Sequence, residues 1–198
     1  MSAGPHIPTL QTDRLILRAP QMGDVQPWID FVNSRRAEFV GGPDLGVAKG
    51  WRGFAHVAGM WMLRGYGSFV FALKSDPDTP LGMTGPWHPL DWPEPELGWT
   101  VWSDAAEGQG FAHEAATAAR SFAYDTLGWP TAVSYIDSRN TRSIALAERL
   151  GCTLDPAAAT PKGAPDEVIL VYRHPSPQGR DRAPGAPHRP ISSNGGAT

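Results

Sequence analysis

Two glycines one residue apart, Gly108 and Gly110, stand directly before an alanine-rich helical pattern that begins near Phe111. The first turn of a helix leaves backbone N–H groups without partners, and the helix dipole favours an anion there. Glycines also remove the side chains that would keep a phosphate away from the backbone. The stretch EGQGFA, residues 107–112, is therefore a candidate phosphate-binding loop, although glycine-rich turns also precede helices for conformational reasons alone.

The common nucleotide-binding loops do not match this stretch. A dinucleotide-binding fingerprint needs a third glycine three residues after Gly110, where this chain has His113. A Walker loop needs Gly-Lys followed by Ser or Thr, and that sequence is absent. The candidate phosphate ligand therefore belongs to neither of these classes.

A second polar group lies in NTRSIALAERLG, residues 140–151, which has helical periodicity. Asn140, Ser143 and Ala147 share one face of this predicted helix. The face has a polar end followed by small residues, so a thin ligand can lie beside it. The alternative is that Asn140 only caps the helix and that Ser143 is an ordinary first-turn serine.

Hydrophobic periodicity and breaker residues predict the elements that position these groups. Strands are predicted at 13–19, 67–74, 81–88, 95–102, 132–137, 152–155 and 166–174, a turn at 75–80, and helices after a cap at Asp24 and at 48–63, 111–127 and 140–151. Three consecutive strands in the middle imply an antiparallel section, followed by a crossover helix. The predicted fold is α+β (mixed α/β), a mixed sheet with helices on both faces.

Composition excludes several classes of protein. The chain has 198 residues, 41% of them hydrophobic, and a formal net charge of -3, so there is no electrostatic case for a nucleic-acid partner. No apolar run approaches a membrane span, and no secretory signal is visible. The single cysteine, Cys152, excludes an internal disulfide and suits a reducing compartment, so we expect a cytoplasmic protein with a buried structural thiol.

The chain divides into three parts. Residues 1–9 are expected to form a flexible N-terminus and residues 10–174 a single domain. Residues 175–198 contain five prolines and four glycines and only one large aliphatic residue, so we expect a disordered tail rich in Pro, Gly and Arg. Both a monomer and a homodimer remain open.

Three stretches occur in an informative order. LQTDRLILRAPQMGD (10–24) comes first, ELGWTVWSDAAEGQGFAHEAATAARSFAYDTLG (96–128) follows, and NTRSIALAERLG (140–151) comes last. In this combination the chain resembles the GNAT superfamily of N-acetyltransferases, most of all its ribosomal-protein alanine N-acetyltransferase (RimJ/RimL-type) branch. The resemblance extends over roughly residues 10–172. The T-D-R-L-x-L-R opening and the G-x-G-F-A-x-E-A block are together quite specific for that branch.

The resemblance implies a central, mostly antiparallel sheet that splays between its fourth and fifth strands, with acetyl-CoA in the split. No metal is expected, because the spacing of His88, His113 and Glu114 fits no known ligand pattern. It implies that the pyrophosphate binds at Glu107, Gly108, Gln109, Gly110, Phe111 and Ala112, and that the pantetheine arm pairs with backbone around Trp99, Thr100, Val101 and Trp102. Asn140 and Ser143 would lie near the thioester.

Two positions depart from the superfamily pattern. Glu107 stands where members usually have Gln or Arg, and an acidic residue beside a pyrophosphate lowers affinity unless it points outward. Ala147 stands where many members have a tyrosine that serves as general acid. Ser143, a water molecule or no specific acid would then fill that role.

Acetyl transfer by direct attack needs a neutral amine, so a base is required. Glu96 matches a position where related enzymes often hold a carboxylate near the acceptor amine; the alternative is a solvated acidic residue. The loop GPWHPLDWPEPE (85–96) offers Trp87 and His88 for an acceptor pocket, with His88 as an alternative base, or is only a stiff hairpin connection. Trp51 is either a core residue, with Phe54 and Trp61, or a border of the acceptor site.

The expected function is transfer of an acetyl group from acetyl-CoA to a primary amine, either a protein N-terminus or a small molecule. The alternative is a catalytically weak GNAT-like module that binds an acyl-CoA and regulates a partner. Glu107 and Ala147 keep this alternative open.

Overall fold

The computed structural model describes residues 7–161 and 168–177, so residues 1–6 and 178–198 of the two predicted terminal segments lie outside the described residues. The strands are β1 (Leu10–Gln11), β2 (Leu15–Arg18), β3 (Phe69–Leu73), β4 (Asp76–Trp87), β5 (Glu96–Val101), β6 (Val133–Asp137), β7 (Thr153–Leu154) and β8 (Ile169–Arg173). The α-helices are α1 (Val25–Asn33), α2 (Gly46–Arg64), α3 (Phe111–Ser121) and α4 (Thr141–Arg149).

The strands of this described part form one mixed sheet in the order β1-β2-β3-β4-β5-β6-β8-β7. All neighbours are antiparallel except β5 and β6. β4 and β5 pair over six positions, whereas β5 and β6 pair only at Glu96 and Val133. The two strands therefore part beyond Glu96, which confirms the predicted splay. The short β1 adds a strand, so the predicted fourth and fifth strands are β5 and β6.

Helices cover both faces of the sheet, as predicted. One face packs against α1 and α2 through Phe31, Val32, Phe54, Val57, Val70, Met83 and Trp102. The other packs against α3 through Leu15, Leu17, Phe69, Phe71, Ala115 and Ala119. Consecutive residues of β3 belong to opposite clusters because side chains alternate along a strand. α4 packs beside α3, where Ala116 meets Leu146 and Ala147.

Two local predictions need correction. The predicted turn at 75–80 is shorter, because β4 already begins at Asp76 and includes Pro77 and Pro80. Proline lacks an N–H group and is tolerated where pairing is irregular, and the β3–β4 register shifts at this place. The predicted helix at 111–127 ends as an α-helix at Ser121 and continues as a wider π turn over Phe122–Thr126.

Asp24 forms a buried ion pair and does not cap α1 with its side chain, contrary to the sequence prediction. Its carboxylate accepts two hydrogen bonds of 2.8 Å from the Arg18 guanidinium and one of 2.8 Å from the Gln21 N–H. Arg18 also donates to the Pro77 carbonyl at 2.9 Å. The pair therefore ties β2 to the start of α1 and to β4.

No helix within residues 7–161 and 168–177 is long and apolar enough to cross a membrane.

Replacing Asp24 with alanine should lower the free energy of unfolding by about 3–5 kcal/mol, because it leaves the buried Arg18 charge without its partner. Urea denaturation measures this change. Asp30→Ala is the matched control, since Asp30 is exposed on α1 and accepts only from Gln26; it should cost about 0.5 kcal/mol or less. Equal losses in the two variants would contradict the ion-pair account.

Candidate active site

A cleft of about 1140 Å³ opens where β5 and β6 part. The starts of α3 and α4 and the connection between α1 and α2 form its walls. It is lined by ten of the twelve residues expected to bind the cofactor: Trp99, Thr100, Val101, Glu107, Gly108, Gly110, Phe111, Ala112, Asn140 and Ser143. Trp102 and Gln109 are not among the lining residues. The fold therefore brings most of the residues that the sequence predicts for the cofactor site around one cleft.

The glycine loop presents an open backbone at the start of α3. Gly108 and Gly110 have φ angles of 73° and 78°, a left-handed conformation that favours glycine. A Cβ added at Gly108 would meet no atom within 4 Å, so the surface above the loop is open. The first helical hydrogen bond runs from the Glu114 N–H to the Gly110 carbonyl, which leaves the preceding N–H groups available for an anion.

The TDR motif at the start of the chain is joined to this loop through Glu114. Thr12 Oγ1 donates to Glu114 Oε1 at 2.5 Å, and the Arg14 N–H donates to the same oxygen at 2.8 Å. Arg14 Nε donates to Oε2 at 2.7 Å. Burial raises the pKa of the Glu114 carboxyl, but these hydrogen bonds outweigh burial and hold the pKa below its usual value.

Arg14 also contacts the loop itself. Its Nη1 donates to the Gln109 carbonyl at 3.0 Å, and its guanidinium lies 4.5 Å from the centre of the Phe111 ring. This hydrogen bond fixes the orientation of the Gln109 peptide group and therefore the conformation of the glycine loop. Arg14 has a structural role at this site that sequence reasoning missed, although its TDR motif was part of the family resemblance.

Glu107 is paired with two arginines at the mouth of the cleft. Its Oε2 accepts from Arg36 Nη1 at 2.9 Å, and its Oε1 accepts from Arg142 Nη1. Arg36 additionally pairs with Asp104 and donates to the Val101 carbonyl at 3.2 Å. The acidic side chain therefore does not face a ligand with its charge unpaired, because the two guanidinium groups balance the charges of Glu107 and Asp104.

The backbone direction of β5 shows which groups face the split. The Trp102 N–H donates to the Leu81 carbonyl at 2.9 Å, so Trp102 points toward β4. Directions alternate along a strand, and the backbone groups of Trp99 and Val101 therefore point into the split. The Trp102 indole is buried against Trp28, 5.6 Å away between ring centres. The expected place of Trp102 beside the cofactor is thus corrected.

The polar end of α4 lies on the opposite wall. Asn140 Oδ1 accepts from the Ser143 N–H at 3.1 Å, so Asn140 is the N-cap of α4. Ser143 Oγ accepts from the Trp99 indole N–H at 3.2 Å, a bond that joins β5 to α4. Ala147 is fully buried. Both polar residues have structural partners and still line the cleft.

Glu96 lies at the point where β5 and β6 part, three residues before Trp99, and is not itself among the residues that line the cleft. Its Oε2 accepts from the Trp92 indole N–H at 2.6 Å, and the Tyr135 backbone also donates to the carboxylate. Burial raises the pKa of Glu96 to about 7, although the residue as a whole keeps partial exposure. Oε1 would lie 3.8 Å from a Cβ placed on Gly98, so the missing side chain leaves room beside it. A carboxyl that titrates near neutral pH suits a general base.

The aromatic candidates for an acceptor pocket lie in different places. His88 Nε2 faces the Trp92 carbonyl at 3.2 Å, and burial lowers the pKa of His88. The Trp87 ring packs against His56 with 4.9 Å between ring centres. Neither they nor Trp51 line the cleft. Trp51 is 45% exposed on α2, so its predicted core position is wrong, whereas Phe54 and Trp61 are buried as predicted.

Within residues 7–161 and 168–177, no group of three or more His, Cys, Asp and Glu side chains is placed to hold a metal ion. Burial raises the pKa of the Cys152 thiol to about 11, so this cysteine is a poor nucleophile at neutral pH.

Comparison with known proteins decides the family. The family model of the acetyltransferase (GNAT) domain matches residues 14–153. This chain belongs to the GNAT acetyltransferase family. It is 40% identical to a solved acetyltransferase from Agrobacterium tumefaciens, with 89% of this chain and 99% of that chain covered and a TM-score of 0.78.

Other GNAT structures share the fold at lower identity. A protein from Bordetella pertussis, described as a GNAT-family acetyltransferase, is 25% identical over 85% of this chain and 99% of its own, with a TM-score of 0.70. The ribosomal-protein acetyltransferase RimL in complex with coenzyme A is 16% identical over 84% of this chain and 97% of its own, with a TM-score of 0.64. This last likeness concerns the fold alone.

GNAT acetyltransferases use acetyl-CoA, and the cleft fits such a molecule. The open N–H groups at 108–112 and the two arginines beside Glu107 suit phosphate groups. The split offers the N–H groups of Trp99 and Val101 and the Trp99 carbonyl to an amide-containing arm, whereas the Val101 carbonyl already accepts from Arg36. As a member of this family, the chain is an acetyl-CoA-dependent acetyltransferase.

Arg14→Ala should raise the dissociation constant for CoA about tenfold, because it removes the charged donor that holds the Gln109 carbonyl and frees the glycine loop. Isothermal titration calorimetry measures the constant. Arg52→Ala makes the same charge change on an exposed position of α2 outside the cleft and should leave CoA binding unchanged. Unaltered affinity in Arg14→Ala would show that the loop keeps its shape without Arg14.

Proposed function

We propose that this chain transfers the acetyl group of acetyl-CoA to a primary amine by direct attack, without a covalent enzyme intermediate. The observation that carries the proposal is the Glu96 carboxylate at the point where β5 and β6 part, with a pKa raised to about 7. The acceptor is a protein N-terminus or a small amine. The enzyme acts in the cytoplasm, where its free cysteine stays reduced.

Acetyl-CoA supplies an activated acyl thioester, and the protein groups divide the remaining work. The N–H groups of residues 108–112 bind the pyrophosphate, with Arg36 and Arg142 beside them. The strand edge of β5 orients the arm, and a backbone N–H of Trp99 or Val101 stabilises negative charge on the reacting carbonyl oxygen. These roles are supported by the direction of the β5 backbone.

Proton transfer is assigned to two side chains. Glu96 removes a proton from the attacking amine, directly or through a water molecule. Ser143 accepts from the Trp99 indole and keeps its own O–H to donate, so it protonates the departing sulfur. Ser143 is assigned as the general acid because the Ala147 side chain has no proton to donate.

Ligand-induced thermal stabilisation tests the cofactor assignment, and thiol release tests turnover. CoA and acetyl-CoA should raise the melting temperature while NAD should not. Thiol release with acetyl-CoA should then depend on an amine from a panel of N-terminal peptides, polyamines and amino acids. Stabilisation without turnover on any amine would favour the regulatory module, and no stabilisation by either CoA species would remove the basis of the proposal.

Glu96→Gln should lower kcat by about 10²–10⁴-fold, since it removes the base without removing bulk, while the dissociation constant for CoA stays the same. Steady-state kinetics and calorimetry measure the two effects. Glu148→Gln, on an exposed position of α4, is the matched control and should have full activity.

The pH dependence follows from the raised pKa of Glu96. The carboxylate is the active form, so kcat/KM should rise with pH through about 7 and fall on the acid side. The decrease of kcat/KM on the acid side should be absent from the residual activity of Glu96→Gln, measured with the same amine. An identical acid limb in both proteins would assign the titration to the amine and not to Glu96.

A further inference from the structure

The indole of Trp92 donates a short hydrogen bond to the base candidate. Trp92 belongs to the connection between β4 and β5, residues 88–95, and its Nε1–H donates to Glu96 Oε2 at 2.6 Å. A hydrogen bond from a neutral donor to a carboxylate is stronger than one between two neutral groups. Trp92 therefore contacts the base candidate through a charge-assisted hydrogen bond as well as through packing.

The rest of the molecule fixes the loop that carries Trp92. The Glu94 carboxylate accepts two hydrogen bonds from Arg173 of β8, at 2.8 and 2.9 Å. The Glu94 N–H donates to the Tyr135 hydroxyl of β6 at 3.2 Å. His88 Nε2 faces the Trp92 carbonyl at 3.2 Å, so this ring nitrogen carries the proton. The indole is thus held at a defined place by strands on the far side of the split.

The hydrogen bond leaves the two carboxylate oxygens of Glu96 unequal. Oε2 is occupied by Trp92, whereas Oε1 lies toward Gly98, where a Cβ would come within 3.8 Å of it. Gly98 follows Glu96 on the same face of β5, closer to the cleft. The Trp92 indole therefore fixes the orientation of the carboxylate, with Oε2 toward the indole and Oε1 toward Gly98.

In the described part of the chain, the titratable groups near this carboxylate come from β6 and from the loop that carries Trp92. Tyr135 comes from β6, and burial raises its pKa to about 12, so it is neutral. Glu94 and His88 come from the same loop; Glu94 is neutralised by Arg173 of β8, and burial lowers the pKa of His88, so it stays uncharged at neutral pH. The donors to Glu96 are the Trp92 indole and the Tyr135 backbone, both uncharged.

We propose that Trp92 is a positioning residue for the reaction, in that its indole N–H holds Glu96 with Oε1 toward the split and stabilises the ionised carboxylate. The inference rests on the proposed role of Glu96 as base. Burial raises the pKa of Glu96, and the Trp92 hydrogen bond opposes this rise. Without the indole donor, the same carboxylate would stay protonated to higher pH.

Trp92→Phe tests the proposal, because it keeps an aromatic ring beside Tyr135 and removes the N–H donor together with part of the ring. Carbon-13 NMR of glutamate carboxyl groups, with the Glu96 signal assigned by its loss in Glu96→Gln, should show the Glu96 pKa raised by about one to two pH units. The acid limb of kcat/KM should move up by the same amount. The dissociation constant for CoA should not change.

Trp129→Phe controls for loss of a buried indole, since Trp129 is buried against Tyr66 and does not contact Glu96. It should lower the melting temperature without moving the Glu96 titration. If Trp92→Phe does not fold, Trp92→Met supplies a flexible apolar side chain that also lacks the donor. Its expected titration shift is the same.

The outcomes separate this inference from the proposed function. If the Glu96 pKa is unchanged in a folded Trp92 variant, the positioning role is overturned, even where the pH-independent kcat/KM of that variant is lower. Full turnover by Glu96→Gln overturns the base assignment and the inference with it. A shifted NMR titration together with a shifted rate limb supports both.

Discussion

The site depends on the early end of the pairing between β5 and β6. Where the two strands are still joined, the Val133 N–H donates to the Pro95 carbonyl at 3.0 Å and the Ser134 hydroxyl donates to the Leu97 carbonyl at 2.7 Å. Beyond Glu96 the two strands separate, and Trp99 and Val101 have no backbone partner on β6. The Val101 carbonyl accepts a hydrogen bond from Arg36 instead, so the N–H groups of both residues and the Trp99 carbonyl remain to face the split. Backbone groups that lose contact with water when a ligand binds need new hydrogen bonds, so this edge favours a ligand that carries amides of its own.

Long-range polar contacts give the split its chemical character. Thr12 and Arg14 reach Glu114 about a hundred positions away, and this contact sets the glycine loop. Glu107 draws Arg36 and Arg142 together from two different walls of the cleft. These are contacts between elements that only the folded sheet brings together. They balance the charge of an acidic residue beside the proposed phosphate site.

Much of the fold followed from local sequence. The periodicity of residues 48–63 and the stop at Gly151 predicted α2 and α4 to within a few residues, and three consecutive strands predicted the antiparallel section. The splay and the CoA loop came from the family resemblance. The ion pairs of Glu107 and the indole bond to Glu96 were not predicted, because spacing along the chain does not encode which distant side chains meet. Asp24 failed as a cap because Arg18, buried nearby, takes its carboxylate.

Amide hydrogen exchange, resolved by residue and compared with and without CoA, tests most directly whether the split is the cofactor site. When CoA is added, we expect backbone amide hydrogens to exchange more slowly in two places. These are the N–H groups of residues 108–112 and those of Trp99 and Val101, at the edge of β5 that faces the split. The Trp102 N–H, which is already bonded to Leu81, should not change. Protection confined to other parts of the molecule, or none at saturating CoA, would contradict the account.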